Sequence, residues 1–479
     1  MAERLDLLVR GGTLVLPDGA IAGHAAIDLA KAPGGGLVRA DLGVSDGRIA
    51  LIAPEIAEPA AEILEAEGAI VFPGILDAHV HFNEPGRADW EGLASGSAAL
   101  AAGGGTAFFD MPLNSLPPVL DGASFAAKRE HAERLSRLDF ALWGGLVPGN
   151  LDRLPELAEA GAIGFKAFLC DSGVPEFAAV TDAATLRAGM KRAAALRLPV
   201  AVHAEDDATV RAFTAEQRGR GGADPGAWLA SRPVEAELLA IDRAAELAGE
   251  TGCALHVVHV SSPEGLERIA QAKRRGVDVT AETCPHYLLL AEGDVARLGA
   301  VAKCAPPLRD EERRRELWRR LLEGEVDTIG SDHSPAPPAM KTAADFFAVW
   351  GGISGCQHGF PLLLSAALAH EPAVAALPRF AALLAANVAR RFRLAGRKGR
   401  LEVGLDADFS LLRIDQQGEG EPLRNADLLY RHRQGPYEGR NCRVRVLRTV
   451  LRGRTVHEYD SPTAESTERP HGVLLRPEP

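Results

Sequence analysis

Eight short apolar runs with a β-type composition recur between residues 71 and 397. Each is followed by a longer helical or loop stretch rich in Ala, Leu, Glu and Arg. Strands that alternate with helices pair in parallel, because each helix returns the chain to the same end of the sheet. Eight such units predict an α/β fold, a (β/α)8 barrel of the TIM type. The runs are Ile70–Val80, Thr106–Met111, Phe140–Val147, Ile163–Phe168, Val200–His203, Leu255–Val260, Val277–Ala281 and Thr328–Ser331.

The two ends of the chain have a different pattern from the middle. Short alternating segments separated by Gly, Pro and Asp occur in residues 1–70 and again in residues 398–460. Two such segments flanking the barrel region 71–397 predict one small β-sandwich domain built from both chain ends. Within the first, residues 24–39 are predicted to be a hairpin extension or a loose loop. Residues 461–479 carry scattered proline and polar groups, which predicts a disordered tail.

Composition excludes several classes of function. The chain has 53 Lys and Arg against 65 Asp and Glu, a net charge of -12, and no basic cluster, which disfavours a nucleic-acid partner. Its start is acidic and lacks the apolar core of a signal peptide, and no apolar stretch approaches the ~18 residues of a membrane span. The six cysteines include no Cys-x-x-Cys pair. We therefore expect a cytoplasmic protein with reduced thiols and no membrane partner.

Residue types that bind metals stand at the C-terminal ends of five of the predicted strands, which is where barrel enzymes place their chemistry. His79 and His81 end the first strand, and the two-residue period of a strand points both imidazoles to the same side. Between 37 and 87 residues separate the other candidates along the chain, so only closure of a barrel could bring them together. These candidates are Lys166, His203, His259 and Asp332.

Lys166 is the most informative candidate, because a buried ammonium without a partner is costly. It lies between apolar residues in Gly164–Phe168. The lysine can form a salt bridge, or it can react as a neutral amine with CO₂ and become a carbamate, whose two oxygens can each hold a metal. Four imidazoles, a carbamate and a carboxylate suffice for two divalent cations, of which Zn²⁺ fits best and Co²⁺ or Mn²⁺ are alternatives. The first cation would take His79, His81 and Asp332, the second would take His203 and His259, and modified Lys166 would bridge them.

These positions and several local segments resemble the cyclic amidohydrolases, the family that contains dihydroorotase, hydantoinase and allantoinase. The likeness covers nearly the whole chain and is greatest to the allantoinase branch. It implies a binuclear centre with a carboxylated lysine, a small cyclic amide as substrate, and a homotetramer. The segments are Asp77–His81 with Glu84–Arg87, Met111–Ser115, Gly164–Phe168, Ser231–Glu235, Cys284–Tyr287, Lys303–Arg309, Ser331–Pro335 and Trp350–Gly355.

One position distinguishes among the substrates of this family. Dihydroorotases typically carry an arginine two residues after the second histidine, where this chain has Asn83. An amide cannot give a carboxylate the bidentate, charge-assisted bond that arginine gives. This favours allantoin, a hydantoin ring with a ureido group and no carboxylate, opened to allantoate in purine and ureide catabolism. Asp332 is the predicted catalytic residue, passing a proton to the leaving ring nitrogen. The predicted substrate contacts are Asn83, Asn114, His286 and Ser334.

Other functions stay open at this point. A hydantoinase or dihydropyrimidinase, or a dihydroorotase, would use the same six metal-binding positions. A non-catalytic scaffold is disfavoured, because all six positions are filled by ligand-type residues. The segment Cys170–Val174 follows Lys166 and is expected to form a loop that covers the site, which leaves access of the substrate undecided.

Overall fold

The computed structural model describes residues 4–17, 36–415, 418–459 and 471–478. Most of the predicted extension, residues 24–35, lies outside them. In chain order the strands are β1 (Leu5–Val15), β2 (Leu37–Ser45), β3 (Arg48–Ala53), β4 (Ala60–Glu65), β5 (Ile70–Pro73), β6 (Ile75–Val80), β7 (Gly105–Asp110), β8 (Asp139–Leu142), β9 (Gly144–Gly145), β10 (Phe165–Phe168), β11 (Val200–His203), β12 (Leu255–Val257), β13 (Val279–Thr283), β14 (Thr328–Ile329), β15 (Phe409–Ile414), β16 (Glu421–Pro422), β17 (Asn441–Cys442), β18 (Val444–Leu451) and β19 (Arg454–Glu458).

The helices lie between and after the strands of the central region, and among the described residues none is long and apolar enough to cross a membrane. Several begin at an aspartate whose carboxylate accepts a backbone N–H of the first turn, as Asp121, Asp182 and Asp310 do. The helices are α1 (Leu93–Ala102), α2 (Gly122–Leu135), α3 (Leu154–Ala160), α4 (Ala183–Ala195), α5 (Asp207–Gly219), α6 (Pro225–Ala230), α7 (Val234–Thr251), α8 (Pro263–Arg274), α9 (Pro285–Leu289), α10 (Glu292–Leu298), α11 (Glu311–Leu322), α12 (Gly359–His370), α13 (Ala373–Ala381) and α14 (Asn387–Arg391).

The central region forms the predicted barrel. Strands β6, β7 and β8 pair in parallel, and so do β9 to β14 in order. The third barrel strand is interrupted at Trp143, which separates β8 from β9. A parallel bridge between Val80 and His333 closes the ring. The predicted fold class is therefore confirmed, and the parallel pairing gathers the C-terminal ends of all the barrel strands at one face.

Both chain ends contribute to a second, eight-stranded mixed sheet, in the order β19-β18-β15-β5-β1-β2-β3 with β4 paired to β1. The apolar run predicted as one strand over 70–80 is divided, because β5 belongs to this sheet and β6 belongs to the barrel. Gly74 makes the division possible. A Cβ at that position would lie 2.2 Å from Oγ1 of Thr106, so only glycine lets the chain pass there.

A buried ion cluster joins the sheet domain to the barrel. Nζ of Lys398 lies 2.7 Å from Asp139 on β8, 2.9 Å from Asp406 and 2.5 Å from Asp408, which precedes β15. All four side chains are buried. The three carboxylates could by themselves hold a metal ion. The ammonium already lies among them, and the other two positive charges come from Arg452, which pairs with Asp139, and Arg397, which pairs with Asp406.

We expect the variant Lys398→Met to lose about 3–5 kcal/mol of unfolding free energy, because it leaves buried carboxylates without their cation. Urea denaturation monitored by circular dichroism would measure the loss. The matched control is Lys273→Met, which breaks a half-exposed pair with Asp327 at 2.6 Å and should cost about 1 kcal/mol or less. Equal losses in the two variants would contradict this role of the cluster.

The expectation of a disordered C-terminal tail is wrong for residues 471–478; residues 461–470 lie outside the described part of the chain. The backbone N–H of Phe140 donates to Val473 O at 3.1 Å, and the N–H of Leu475 donates to Phe140 O at 2.7 Å. Leu475 is buried against the barrel. The tail therefore packs beside β8, because it satisfies the backbone N–H and C=O of Phe140 on that strand and adds an apolar contact.

Candidate metal centre

The structure brings the six predicted ligand positions together at the C-terminal face of the barrel. The imidazole rings of His79 and His259 link the two halves of the group, with their centroids 5.4 Å apart. Because the residues come from five strands, the group exists only once the barrel is closed. His79 lies on β6 with His81 just after it, Lys166 lies on β10, His203 ends β11, His259 follows β12 by two residues, and Asp332 follows β14 by three.

The first half of the group consists of His79, His81 and Asp332. Oδ1 of Asp332 lies 3.2 Å from Nε2 of His79 and 3.3 Å from Nε2 of His81. Burial alone would raise the pKa of Asp332, but the two histidines hold it well below its usual range. Burial lowers the pKa of His81 to about 4. Near neutral pH this half therefore presents a carboxylate and a neutral imidazole, both of which have lone pairs for a cation.

The second half consists of His203, His259 and Lys166. Nδ1 of His203 faces Nε2 of His259 at 3.1 Å. Nζ of Lys166 is buried and has no hydrogen-bond partner among the described residues. Burial lowers the pKa of Lys166 to about 8, so the amine loses its proton much more readily than an exposed lysine does. An unpartnered, partly neutral amine beside two imidazoles differs from a structural lysine, which would be paired.

The distances within the group fit metal ligation. Two nitrogen ligands ~2.0 Å from one tetrahedral ion stand about 3.3 Å apart. The three ligand-to-ligand separations here, 3.1, 3.2 and 3.3 Å, are close to that value. The donor set of imidazoles and a carboxylate suits Zn²⁺ and similar divalent ions. The residues present therefore fit a metal centre.

Strained backbone conformations are concentrated at the candidate metal centre. Of eight non-glycine residues with a positive φ among those described, four belong to this region: Asn83 (66°), Asn114 (72°), His259 (42°) and Asp332 (45°). Such backbones cost on the order of 1–3 kcal/mol each and persist where the surrounding structure holds them. For His259 and Asp332 the left-handed turn follows the end of a strand and directs the side chain toward the shared centre.

Glu282 is a functional residue that sequence reasoning missed. It lies on β13, where its Oε1 is 2.8 Å from Nδ1 of His79 and its Oε2 is 3.3 Å from Nε2 of His256. Burial would raise the pKa of Glu282, but the hydrogen bonds from the two histidines lower it to about 2. The carboxylate therefore holds His79 with Nε2 directed at Asp332. A carboxylate that orients a ligating histidine in this way also strengthens the ligand.

Glu205 orients His203 in the second half of the ligand group, and sequence reasoning missed this residue as well. Its Oε2 lies 2.7 Å from Nε2 of His203, which directs Nδ1 of that ring at His259. Arg232 pairs with the same carboxylate and helps to lower its pKa to about 2 against the effect of burial. Cys170 lies near this pair. Burial raises the pKa of the Cys170 thiol to about 12, so the thiol stays neutral and is a poor ligand.

The sequence carried a signal for both carboxylates. Glu205 follows His203 by two residues, so a continuing strand would place both on one side. Glu282 stands inside an otherwise uncharged run, and a buried acid in such a strand requires a partner.

We expect Glu282→Gln to weaken metal binding about 10–100-fold while the protein remains folded, because the neutral amide no longer strengthens His79 as a ligand. Competition with a chromophoric chelator would measure the affinity. Glu264→Gln on α8 is the matched control, because that carboxylate pairs with the half-buried Arg313 and is not a partner of any of the six ligand positions. Unchanged affinity in Glu282→Gln would contradict the orienting role.

A cavity of about 740 Å³ opens above the six positions, a size that suits a small organic ligand. Asn114 and Ser334 line it, as expected for substrate contacts. Asn83 and His286 do not: both are completely buried outside its lining, where the amide of Asn83 donates to Pro335 O at 3.4 Å. Direct contact between these two residues and a substrate is therefore not supported. The predicted covering loop contributes Asp171, Ser172 and Gly173 to the wall.

A family model described as Amidohydrolase family matches residues 70–456. The match includes the barrel, all six ligand positions and most of the C-terminal part of the sheet domain. The chain belongs to the amidohydrolase family. Membership confirms the family resemblance, and together with the ligand-type groups of this face it indicates a binuclear metal site in this amidohydrolase.

Individual relatives are similar over nearly the whole amidohydrolase chain. A protein named allantoinase from Solibacter usitatus is 53% identical over 92% of this chain and 94% of its own. Another of the same name from Deinococcus radiodurans is 49% identical over 99% of both chains. Among solved structures, an L-hydantoinase (dihydropyrimidinase) from Arthrobacter aurescens superposes with a TM-score of 0.88 at 32% identity, over 98% of this chain and 100% of its own.

Proposed function

We propose that this amidohydrolase hydrolyses a ring amide of allantoin and releases allantoate, a step of purine and ureide catabolism. The observation that carries the proposal is the position of Asp332. Its carboxylate lies 3.2–3.3 Å from two ligand-type imidazoles at the floor of a cavity large enough for one small ring. The near full-length relatives named allantoinase support the choice of ring.

In this proposal two divalent cations, Zn²⁺ by preference, occupy the two halves of the group. Nζ of neutral Lys166 would attack the carbon of CO₂ and lose a proton to water, and the resulting anionic carbamate would supply oxygen ligands for the cations. When bound, the cations would lower the pKa of water to near ~7 and polarise the ring carbonyl. Glu282 and Glu205 hold the rings of His79 and His203 in the orientation that ligation requires.

Asp332 handles the proton in this proposal. Its carboxylate is ionised at neutral pH, because the histidines keep its pKa well below the usual range. It can accept a proton from the attacking water at Oδ2 and then donate it to the leaving ring nitrogen. Protonation is needed because an amide nitrogen leaves poorly as an anion. Asp332 lines the cavity and follows the end of β14, which supports contact between its carboxylate and a bound ring.

The charged groups of the cavity agree with a substrate that has no carboxylate. Three cationic side chains line the described part of the cavity, and each has a partner. Arg232 pairs with Glu205, Arg211 with Asp207, and Nζ of Lys303 donates to backbone carbonyls, including that of Val349 at 2.5 Å. A carboxylate-bearing ring such as dihydroorotate would therefore find no free cation there. The amide of Asn114 and the hydroxyl of Ser334 can instead bond the ureido group.

A hydantoinase activity is the second candidate. The likeness to the L-hydantoinase structure and the apolar residues of the cavity mouth, such as Met340, Phe347 and Trp350, favour it. Side-by-side turnover of allantoin, hydantoin, dihydrouracil and dihydroorotate by metal-replete enzyme would separate the candidates. We expect kcat/KM to be highest for allantoin, with allantoate as product. A higher value for any other ring would reject the proposal.

We further propose that the enzyme is a cytoplasmic homotetramer, as its family resemblance implies. The six cysteines are free and buried, which agrees with a reducing compartment. Multi-angle light scattering of the purified protein should give four times the chain mass of 50.7 kDa, and cell fractionation should recover activity with the cytosol.

A further inference from the structure

A second cavity, of about 610 Å³, lies at the opposite end of the barrel from the candidate metal centre. Its lining includes residues that immediately precede four consecutive strands: Pro199 before β11, Ala254 before β12, Asp278 before β13 and Asp327 before β14. The last turn of α14 and the residues after it complete the wall. The cavity is therefore separated from the six ligand positions by the length of the barrel strands.

Positive charge predominates in this cavity although the whole chain carries a net charge of -12. Four arginines and two aspartates line it, a local balance of +2. Both aspartates are already paired. Asp327 lies 2.6 Å from Nζ of Lys273, and Asp278 lies 2.5 Å from Nη1 of Arg391, whose Nη2 donates to a backbone carbonyl. The two carboxylates therefore do not pair with Arg197 or Arg393.

Two of these arginines occupy backbone positions that normally take glycine. Arg197 follows α4 with a φ of 55°, and Arg393 follows α14 with a φ of 54°. Left-handed residues at helix ends are usually glycine, because a side chain there is strained by about 1–2 kcal/mol. The equivalent left-handed positions after α3, α7, α8 and α11 are all glycine: Gly161, Gly252, Gly276 and Gly324. The two exceptions are arginines that line one cavity.

No contact of either guanidinium group with the described residues offsets this backbone strain. Among the described residues the guanidinium groups of Arg197 and Arg393 have no hydrogen-bond or ion-pair partner. Partial burial and the neighbouring charge of Arg197, which is itself exposed, both lower the pKa of Arg393, so the two cations repel each other. Two strained, mutually repelling and unpartnered cations are stabilised when an anion binds between them.

We propose that this cavity is a binding site for a small phosphate-bearing anion, held between Arg197 and Arg393. Guanidinium groups bind phosphate oxygens through paired, charge-assisted hydrogen bonds. The concave shape and the limited volume fit a small molecule, whereas a nucleic acid would need an extended basic surface that this acidic chain lacks.

The test is isothermal titration of the metal-replete enzyme with inorganic pyrophosphate at low ionic strength. We expect saturable binding of one pyrophosphate per chain. Arg197→Gly and Arg393→Gly should each weaken it by about 10-fold or more, the loss expected when a charge-assisted hydrogen-bond pair is removed. Both variants place glycine where the backbone favours it, so their melting temperatures should equal or exceed that of the parent protein.

Arg275→Ala is the matched control, because it removes an exposed arginine from the same barrel face but outside the cavity. It should change the pyrophosphate affinity less than about twofold. Metal content measured after each titration separates anion binding from metal removal. Absence of saturable binding in the parent protein, or unchanged affinity in both glycine variants, would overturn the proposal. Retained binding in those variants would place the anion at the metal centre instead.

Discussion

The variant Lys166→Ala is expected to bind almost no metal and to lose at least about 10³-fold in kcat/KM, because even one preorganised electrostatic group contributes about 10²–10³ to turnover. The reason is that Nζ of Lys166 is buried beside the ligand group and has no hydrogen-bond partner among the described residues. Under the proposed function, the substitution would remove the amine that forms the carbamate ligand of the cations. Metal analysis of the purified variant and turnover of allantoin would measure the two losses.

Two further measurements make this prediction specific. Added acetate or propionate should restore part of the metal content and activity, because a short carboxylate can occupy the space of the lost carbamate. Incubation with ¹³C-bicarbonate should give a carbamate carbon resonance in the parent protein and none in the variant. Lys191→Ala, which removes an exposed lysine on α4, should leave metal content and activity unchanged. Full metal occupancy in Lys166→Ala would rule out the bridging role.

The second large effect is expected from Asp332→Asn. This variant should keep most of its metal but lose about 10²–10⁴-fold in kcat, the usual contribution of a general acid–base group. An asparagine oxygen can still face the two imidazoles, whereas an amide cannot accept and return a proton near neutral pH. Metal analysis and steady-state kinetics with allantoin would separate retained ligation from lost proton transfer.

The matched control for Asp332→Asn is Asp207→Asn. Asp207 also lines the cavity, but its carboxylate pairs with the exposed Arg211 and lies outside the ligand group. We expect its kcat to stay within about twofold of the parent value, since surface ion pairs contribute little. A kcat of Asp332→Asn equal to that of Asp207→Asn would show that the proton follows another route.

The barrel was predictable because its strands are short, apolar and separated by amphipathic or alanine-rich helices. The predictions that failed concerned the ends of strands and of the folded region, which depend on contacts between residues distant in sequence. The run at 70–80 looked like one strand, yet Gly74 divides it between two sheets because Thr106 crowds that point. The last residues looked like a tail, yet Leu475 is buried beside Phe140. Neither neighbour is visible from local composition.

In the candidate site, too, some features could be predicted from the sequence and others depended on the fold. Its six ligand-type positions could be chosen from sequence, because polar residues at the ends of apolar strands are conspicuous. The roles of Glu205 and Glu282 were missed, because their importance depends on which imidazole nitrogen each carboxylate contacts. Of the four predicted substrate contacts, Asn114 and Ser334 line the cavity, whereas Asn83 and His286 lie buried outside it, and these positions too depend on the closed barrel.

Local sequence patterns were enough to predict the alternation of strands and helices, and with it the face of the barrel at which the polar residues would meet. That information is local, since the hydrophobic period is set by neighbouring residues. The folded arrangement was needed to learn which nitrogen of each histidine is directed inward, which cations are already paired, and that Arg197 and Arg393 share one cavity. Those facts depend on the distances between strands and helices far apart in the chain, which are fixed when the barrel closes.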